Sequence, residues 1–336
     1  MISLNILDYS PVDENADARN ALIQTTELAK RADQLGYKRF WVSEHHQMLS
    51  LAGSNPELLM MHLAASTKRI RIGSGGVMLP HYSSYKVAEN FRMLEALYPN
   101  RIDLGIGRAP GANRLVTHAL NEEKTRPLSY EQQVIDLKSF LTNDFPENHR
   151  FKDLVATPVI STTPEIWVLG AGGGSAEIAA NNGSAYTFAH FINPYGEGIR
   201  AIKHYRENFK PSKLLNEPQA MIGVFAVIAE TNEEAEELAR AFDLWLLKAE
   251  SAQTPNRYPS LQTAKNYSFS SFEKEIIHRN RKRVVVGDAK KVKEQIEKLA
   301  EAYGVNEITI LPNISGANNR IKSIELLARA FNQSRS

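Results

Sequence analysis

Helical and strand patterns alternate along this chain, and that alternation limits its possible folds more than any single motif does. Apolar residues recur on one face of a predicted helix that begins near Ala18 and ends at Gly36. Two further helical patterns end at Gly183 and Gly304, and a strand pattern begins within a few residues of each glycine. A helix-then-strand unit repeated in this way predicts an α/β protein.

Eight short runs rich in valine, isoleucine and aromatic residues are the predicted strands. Many of them are continuously apolar, which is typical of parallel strands that are buried on both faces. Eight strands with intervening helices favour a (β/α)8 TIM barrel over an open doubly wound sheet. The predicted strands are residues 3–8, 39–43, 69–77, 101–106, 165–169, 185–189, 220–228 and 307–311.

Two segments interrupt the alternation. Residues 142–163 are polar and contain proline, and we expect them to form an excursion before the fifth strand. Residues 251–283 form a longer insertion after the seventh strand and show no sustained helical pattern. Long irregular insertions are usually functional or mobile, so this one is expected to be either a lid over the barrel mouth or a surface excursion. No change of composition marks a linker, and we expect one domain over residues 1–336.

The composition excludes several classes of protein. The 336 residues contain no cysteine, which rules out disulfide scaffolds, thiolate catalysis and metal sites with cysteine ligands. The net charge of +2 argues against electrostatically driven binding of nucleic acid. No apolar run reaches the ~18 residues that a membrane helix needs, and the N-terminus lacks a signal-peptide pattern. We therefore expect a cytoplasmic protein of a size typical of enzymes.

Unusual residues follow consecutive predicted strands, at the end of an α/β barrel where active sites lie. A glycine-rich loop from Gly170 to Ser175 joins the fifth strand to a helix. Amides of such a loop can approach an anion closely, and the helix N-terminus adds partial positive charge, so a phosphate is the expected ligand. A tight turn without a ligand is the alternative. A Rossmann motif would need glycine in place of Ser175, and the next strand ends without the acidic residue that binds ribose.

Two further positions suit an anionic or a flat ligand. Arg108 follows the fourth strand, where its guanidinium could hold the same phosphate through two hydrogen bonds; a surface ion pair with Asp103 or a neighbouring carboxylate is the alternative. Gly75 and Gly76 interrupt a strong strand pattern, which indicates a bulge or a close approach of a ligand to the backbone. A flat ring could lie there, although strand packing alone would also explain the two glycines.

Two adjacent histidines, His45 and His46, follow the second strand beside Glu44. Successive side chains of an extended chain point to opposite faces, so the pair is poorly placed to share a metal ion. A single imidazole in the barrel mouth, His45 oriented by Glu44, suits proton transfer near neutral pH. A structural, hydrogen-bonded pair is the alternative. The sequence contains neither a His-Glu-x-x-His motif for zinc nor a Gly-x-Ser-x-Gly motif for a serine hydrolase.

These strand ends belong to longer segments with a recognisable pattern: residues 7–12, 40–46, 71–80, 101–111 and 284–328. In combination they resemble the flavin-dependent monooxygenases of the bacterial-luciferase-like family. The resemblance implies a (β/α)8 barrel, commonly a homodimer, that binds reduced FMN supplied by a separate flavin reductase. It further implies that a small organic substrate is oxidised by O2 through a C4a-hydroperoxyflavin, which a dry pocket protects. Light emission is not implied.

Matched by position, the resemblance assigns roles to the candidate residues. His45 matches the catalytic histidine, and Gly75 and Gly76 match the peptide, often a cis bond, on which the isoalloxazine ring rests. Glu44 is expected to contribute to the cofactor site. Luciferase has an acid and a serine in its phosphate loop, whereas the loop here is glycine-rich. The expected phosphate site consists of Arg108, Ala171, Gly172, Gly173, Gly174 and Ser175, and no metal is expected.

Three alternatives remain open. A deazaflavin (F420)-dependent dehydrogenase would use the same barrel and phosphate loop but would transfer hydride without oxygen. A non-catalytic flavin-binding protein would keep the loop and have no need of His45. A metal-dependent barrel hydrolase would require ligands that the sequence does not show.

Overall fold

The computed structural model describes residues 2–108, 111, 113–122, 128–251 and 254–331. Within these residues the strands are β1 (Ser3–Asp8), β2 (Arg39–Val42), β3 (Arg71–Ser74), β4 (Val77–Met78), β5 (Ile102–Gly107), β6 (Glu165–Gly170), β7 (Ala185–Ala189), β8 (Ala220–Ala229), β9 (Val284–Asp288) and β10 (Glu307–Leu311). The α-helices are α1 (Ala18–Leu35), α2 (Pro56–Ser66), α3 (Ser84–Leu97), α4 (Arg114–Leu120), α5 (Tyr130–Thr142), α6 (Gly173–Asn182), α7 (Glu197–Glu207), α8 (Asn232–Ala249), α9 (Leu261–Asn266), α10 (Ser271–Asn280), α11 (Ala289–Tyr303) and α12 (Ala317–Ala330).

Parallel pairing closes the strands into a barrel. The order around it is β1, β2, β3, β5, β6, β7, β8 and β10, and β10 pairs with both β8 and β1. The short strand β4 continues the line of β3 after a break and pairs with β5. The predicted (β/α)8 TIM barrel is confirmed, and each of the eight predicted strands overlaps a barrel strand.

The glycines that end helices behave as predicted. Gly36, Gly183 and Gly304 follow α1, α6 and α11 with φ angles of 86°, 59° and 63°, the left-handed region that favours glycine. Each amide bonds back to a carbonyl of the last helical turn. None of the helices in the described part of the chain is long and apolar enough to cross a membrane.

The insertion after β8 is more regular than the sequence pattern indicated, so the expectation of an irregular segment is wrong for residues 254–283. It contains α9, α10 and a 3-10 turn at Arg281–Arg283, while positions 252 and 253 lie outside the described residues. A capping box between Ser270 and Glu273 begins α10. These helices have 6 and 10 residues, too short for a helical repeat to stand out.

Strand β9 follows this insertion and was not among the predicted strands. It pairs with the last half of β8, from Phe225 opposite Val284 to Ala229 opposite Asp288. Strand β8 therefore extends beyond the barrel wall. The insertion leaves the fold after α8 and rejoins it at β9, along β8.

Buried ions fill the amino-terminal end of the barrel. The Arg39 guanidinium lies 2.8 Å from a carboxylate oxygen of Asp103 and 2.5 Å from one of Glu307. Arg71 also bonds to Asp103, at 2.7 Å. Burial alone would raise the pKa of the Asp103 carboxyl, but the two guanidinium groups hold it below its usual value. Chemistry is thus left to the opposite, carboxyl end of the strands.

Candidate active site

Four of the predicted site elements lie at or after the ends of neighbouring strands in the barrel wall. His45 comes after β2, the glycine pair lies between β3 and β4, Arg108 follows β5, and the glycine-rich loop joins β6 to α6. Because parallel strands end at the same rim, all four lie at the carboxyl-terminal mouth.

The His45 ring is held by two neighbours. Its Nδ1 lies 3.0 Å from Ser43 Oγ, and the ring meets Tyr9 edge-on with centroids 4.8 Å apart. Burial, with a contribution from the nearby His46, lowers the pKa of His45 to about 4. The imidazole is therefore neutral at neutral pH, and within the described residues Nε2 makes no hydrogen bond.

Glu44 does not orient His45, so that prediction is wrong. The Glu44 carboxylate accepts hydrogen bonds from His46 Nε2 at 2.8 Å, from the Tyr82 hydroxyl at 2.7 Å and from the Met78 amide at 3.0 Å. Side chains of an extended chain alternate, so Glu44 shares a face with His46 and leaves Ser43 to orient His45. This buried carboxylate ties the end of β2 to the start of α3 and to β4.

The two histidines point to different partners, as the alternation predicts. His45 bonds to Ser43 and His46 bonds to Glu44, so the imidazoles do not converge on one point. Among the residues for which coordinates are described, no cluster of three or more histidine, aspartate or glutamate side chains could hold a metal ion.

The peptide bond between Gly75 and Gly76 is cis. The Gly75 amide donates to the Val42 carbonyl at 2.7 Å, and the Ser74 hydroxyl donates to the Gly105 carbonyl at 2.8 Å. A Cβ on Gly76 would lie 2.7 Å from the Gly105 oxygen. Strand packing therefore requires glycine at position 76, whether or not a ring rests on the peptide.

The glycine-rich loop leaves the start of α6 open. Its N-cap residue is Gly172, so no side chain bonds to the first amides of the helix. A Cβ built on Gly173 or Gly174 would meet no atom within 4 Å. Ala171 is held in place by Asn193, whose Nδ2 donates to its carbonyl at 3.0 Å. Ser175 folds back instead, and its Oγ fills the place that a Cβ on Gly170 would take.

Arg108 is exposed at the end of β5, on the strand next to β6. The alternative ion pair with Asp103 is wrong, because Arg39, Arg71 and the Trp41 indole already bond to that carboxylate at the other end of the barrel. Positions 109 and 110 of the motif that follows lie outside the described residues.

Aromatic side chains line the opposite side of the mouth, and the sequence analysis did not assign them to the site. Phe225 of β8 has its centroid 6.3 Å from Tyr9 and 5.2 Å from Phe191. Burial raises the pKa of the Tyr9 hydroxyl, which keeps it protonated, while the Arg283 charge acts in the opposite direction. Side chains alternate between the two faces of a strand, and this alternation along β8 and β1 could have identified the aromatic residues at the mouth.

The insertion is fastened to this aromatic side. The Tyr258 amide donates to the Val12 carbonyl at 2.8 Å, and its hydroxyl donates to the Asn313 carbonyl at 2.6 Å. Its ring stacks on Trp245 of α8, centroids 5.5 Å apart. Arg283, at the end of the insertion, donates to the Phe191 carbonyl at 3.2 Å. The insertion thus adjoins the loops after β1, β7 and β10.

Comparison with known proteins identifies the family. Residues 5–307 match the sequence model of the family described as luciferase-like monooxygenase. The chain belongs to the luciferase-like monooxygenase family. The chain is 38% identical, over 98% of each chain, to the Bacillus subtilis protein named N-acetyl-S-alkylcysteine monooxygenase. An uncharacterised B. subtilis protein, YwcH, is 48% identical over 98% of this chain and 99% of its own.

Several solved structures share the fold. The crystal structure of apo-MsnO8 has a TM-score of 0.88 and 34% identity, with complete coverage of both chains. Two more distant structures show the fold alone. The oxygenating constituent of 3,6-diketocamphane monooxygenase, in complex with FMN, is 18% identical with a TM-score of 0.70 over 98% of both chains. An F420-dependent secondary alcohol dehydrogenase is 15% identical with a TM-score of 0.67 over 100% of this chain and 99% of its own.

Proposed function

We propose that this protein is an FMN-dependent monooxygenase that uses reduced FMN and O2 to oxidise a small organic substrate. The observation that carries the proposal is the uncapped start of α6, where the first two glycines face open space one strand away from Arg108. Membership of the luciferase-like monooxygenase family supports the reaction class.

The residues present fit the phosphate of FMN. Amides of Gly173, Gly174 and Ser175 are available at the positive end of the α6 dipole, where a dianion is favoured. Arg108 would add a charge-assisted hydrogen bond from the neighbouring strand. The isoalloxazine ring would rest against the peptide of Gly75 and Gly76.

Reduced FMN, when bound, supplies the electrons and the reactivity toward oxygen. The protein positions the substrate, excludes water and moves a proton. Tyr9 and Phe191 each pack against Phe225 and would form the apolar side of the substrate pocket. His45 acts there as a neutral imidazole, because its pKa lies near 4; Ser43 fixes Nδ1, and Nε2 exchanges a proton with the reacting groups.

The proposal includes two protein partners. A separate flavin reductase would supply reduced FMN, in keeping with the relative from Acinetobacter baylyi named the oxygenase component of a trigonelline monooxygenase, which is 24% identical over 65% of this chain and 62% of its own. A second copy of the chain would complete a homodimer, which sedimentation equilibrium will test.

A thioether is the first substrate class to test, because of the relative named N-acetyl-S-alkylcysteine monooxygenase. The experiment mixes the anaerobic complex of enzyme and reduced FMN with O2 and N-acetyl-S-benzylcysteine. The expected product is the sulfoxide, with one oxygen atom from ¹⁸O₂. Flavin binding that yields only the peroxide formed by free reduced FMN, with no oxidised substrate, would support the non-catalytic alternative, and reduction of F420 by a substrate would support the deazaflavin-dependent dehydrogenase.

A further inference from the structure

Two carbonyl groups of the glycine-rich loop are held from one side, by a residue of β7 and by a residue of the connection that follows it. Asn193 Nδ2 donates to the Ala171 carbonyl at 3.0 Å, and the Tyr186 hydroxyl donates to the Gly172 carbonyl at 3.2 Å. Tyr186 belongs to β7, and Asn193 lies between β7 and α7. Both carbonyl oxygens are therefore fixed on the side of the loop that faces β7.

The direction of these two carbonyls also sets the direction of two amides. The cis peptide bonds of the described residues lie elsewhere, so the bonds that join Ala171 to Gly172 and Gly172 to Gly173 are trans. In a planar trans peptide the N–H points away from the C=O. The amides of Gly172 and Gly173 are therefore directed away from β7.

The Asn193 side chain is itself held in one orientation. Its Nδ2 carries two hydrogens, and the second is donated to Glu197 Oε2 at 2.7 Å. Its Oδ1 accepts from the Tyr195 amide at 3.3 Å. Because donors and acceptor are all engaged, the amide cannot turn over without losing these contacts, and the Ala171 carbonyl keeps its donor.

The side of the loop that faces β7 is also the less favourable side for an anion. A Cβ built on Gly172 would lie 2.9 Å from Glu197 Oε1, so the carboxylate of Glu197 adjoins the loop there. Like charges repel, and this carboxylate disfavours a phosphate on its own side. In the barrel order β6 stands between β5 and β7, and Arg108 follows β5. The two amides are thus directed toward the side on which Arg108 lies.

We propose that Asn193 and Tyr186 are positioning residues for the phosphate of FMN. They hold two loop carbonyls toward β7, and so they aim the amides of Gly172 and Gly173 at the side of Arg108, where the phosphate binds. Their effect is exerted through the loop, without contact to the phosphate. This inference rests on the proposed binding of FMN and adds how the loop is oriented for it.

The test measures how much the phosphate contributes to flavin binding. Dissociation constants of reduced FMN and of reduced riboflavin are measured by anaerobic titration of the full-length protein, and their ratio gives the preference for the phosphate. Asn193→Leu removes the donor at similar size and unchanged charge, and Tyr186→Phe removes only the hydroxyl. Asn208→Leu is the matched control, because Asn208 also donates from Nδ2 to a backbone carbonyl, that of His204 at 2.9 Å, but at the C-terminal end of α7.

We expect the wild type to bind FMN more tightly than riboflavin. Asn193→Leu and Tyr186→Phe should each raise the Kd for FMN about 2- to 10-fold, the factor that one hydrogen bond of ordinary strength gives, and leave the Kd for riboflavin unchanged. Asn208→Leu should change neither constant. A role confined to the stability of the fold would not alter the preference for FMN over riboflavin.

Three outcomes would overturn the inference. They are equal affinities of the wild type for the two flavins, an unchanged preference for FMN in both variants, and a parallel loss of affinity for both flavins in each variant. Tyr186→Phe decides the matter if Asn193→Leu does not fold. A reduced preference for FMN in the variants, together with no sulfoxide formation by the wild type, would instead contradict the monooxygenase proposal and leave the role of Asn193 standing.

Discussion

Replacing Gly174 by alanine should raise the thermal stability of the protein and weaken its binding of flavin, so the two effects can be measured separately. The residue lies in the first turn of α6, and a Cβ there meets no atom within 4 Å, so the fold accommodates the methyl group. Alanine in place of a helical glycine stabilises by about 0.4–1 kcal/mol. The entropy of unfolding is about 2.1 cal/mol/K per residue, so over 336 residues this gain in stability corresponds to a rise in Tm of about 1 °C.

The same methyl group would occupy the space proposed for the phosphate. Loss of one charge-assisted hydrogen bond costs about 1.5–3 kcal/mol, so the Kd for reduced FMN should rise about 10- to 100-fold. Anaerobic fluorescence titration measures this constant, and differential scanning calorimetry measures Tm. Riboflavin is the matched ligand control, because it lacks the phosphate and should bind both proteins alike.

An unchanged Kd for FMN in Gly174→Ala would refute the reasoning, because the helix start would then not hold the phosphate. A parallel loss of riboflavin and FMN affinity would refute it differently, by showing that the substitution acts on the ring or on the fold.

Four further predictions follow from the site. Arg108→Ala should raise the Kd for reduced FMN about 10- to 100-fold, with riboflavin again unaffected, in the same titration. His45→Ala should lower substrate oxidation by about 10²–10⁴-fold and raise peroxide release, with FMN affinity and Tm nearly unchanged; a destabilised but fully coupled variant would make His45 a scaffold residue. The folded-state pKa of His45 lies below the unfolded value of 6.5, so its contribution to stability is complete above pH 6.5 and is lost as the pH falls toward 4. The melting temperature of the wild type should therefore fall more than that of His45→Gln over this pH interval. Hydrogen exchange in residues 254–283 should slow when reduced FMN and substrate bind, and strong protection in the free protein would contradict the lid hypothesis.

The sequence was sufficient for the barrel because its signals are local. Continuous apolar runs mark strands buried on both faces, and glycines such as Gly36 and Gly183 mark helix ends through a backbone conformation that other residues avoid. Strand β9 was missed because Val284–Asp288 becomes a strand through pairing with β8, far away in sequence. The capping box at Ser270 and Glu273 was a local signal for α10 that could have been used.

The site shows the same division between local and distant information. Positions of His45 and Arg108 follow from where strands end, which a pattern can locate. The Glu44 carboxylate also accepts hydrogen bonds from Tyr82 and from the Met78 amide, both more than thirty residues away in sequence, so only the tertiary structure shows these two contacts. Alternation alone would have paired Ser43 with His45.

The pairing of β9 with β8 gives the protein a modular construction. Because the polypeptide departs at Ala229 and returns at Val284 beside Phe225, both ends of the intervening segment are anchored on one strand. Exchange of that segment for the equivalent piece of a relative would leave every barrel pairing intact, including the closure between β8 and β10. We therefore expect that this segment, which includes α8, can be varied in evolution or by design without a change in the register of the barrel strands.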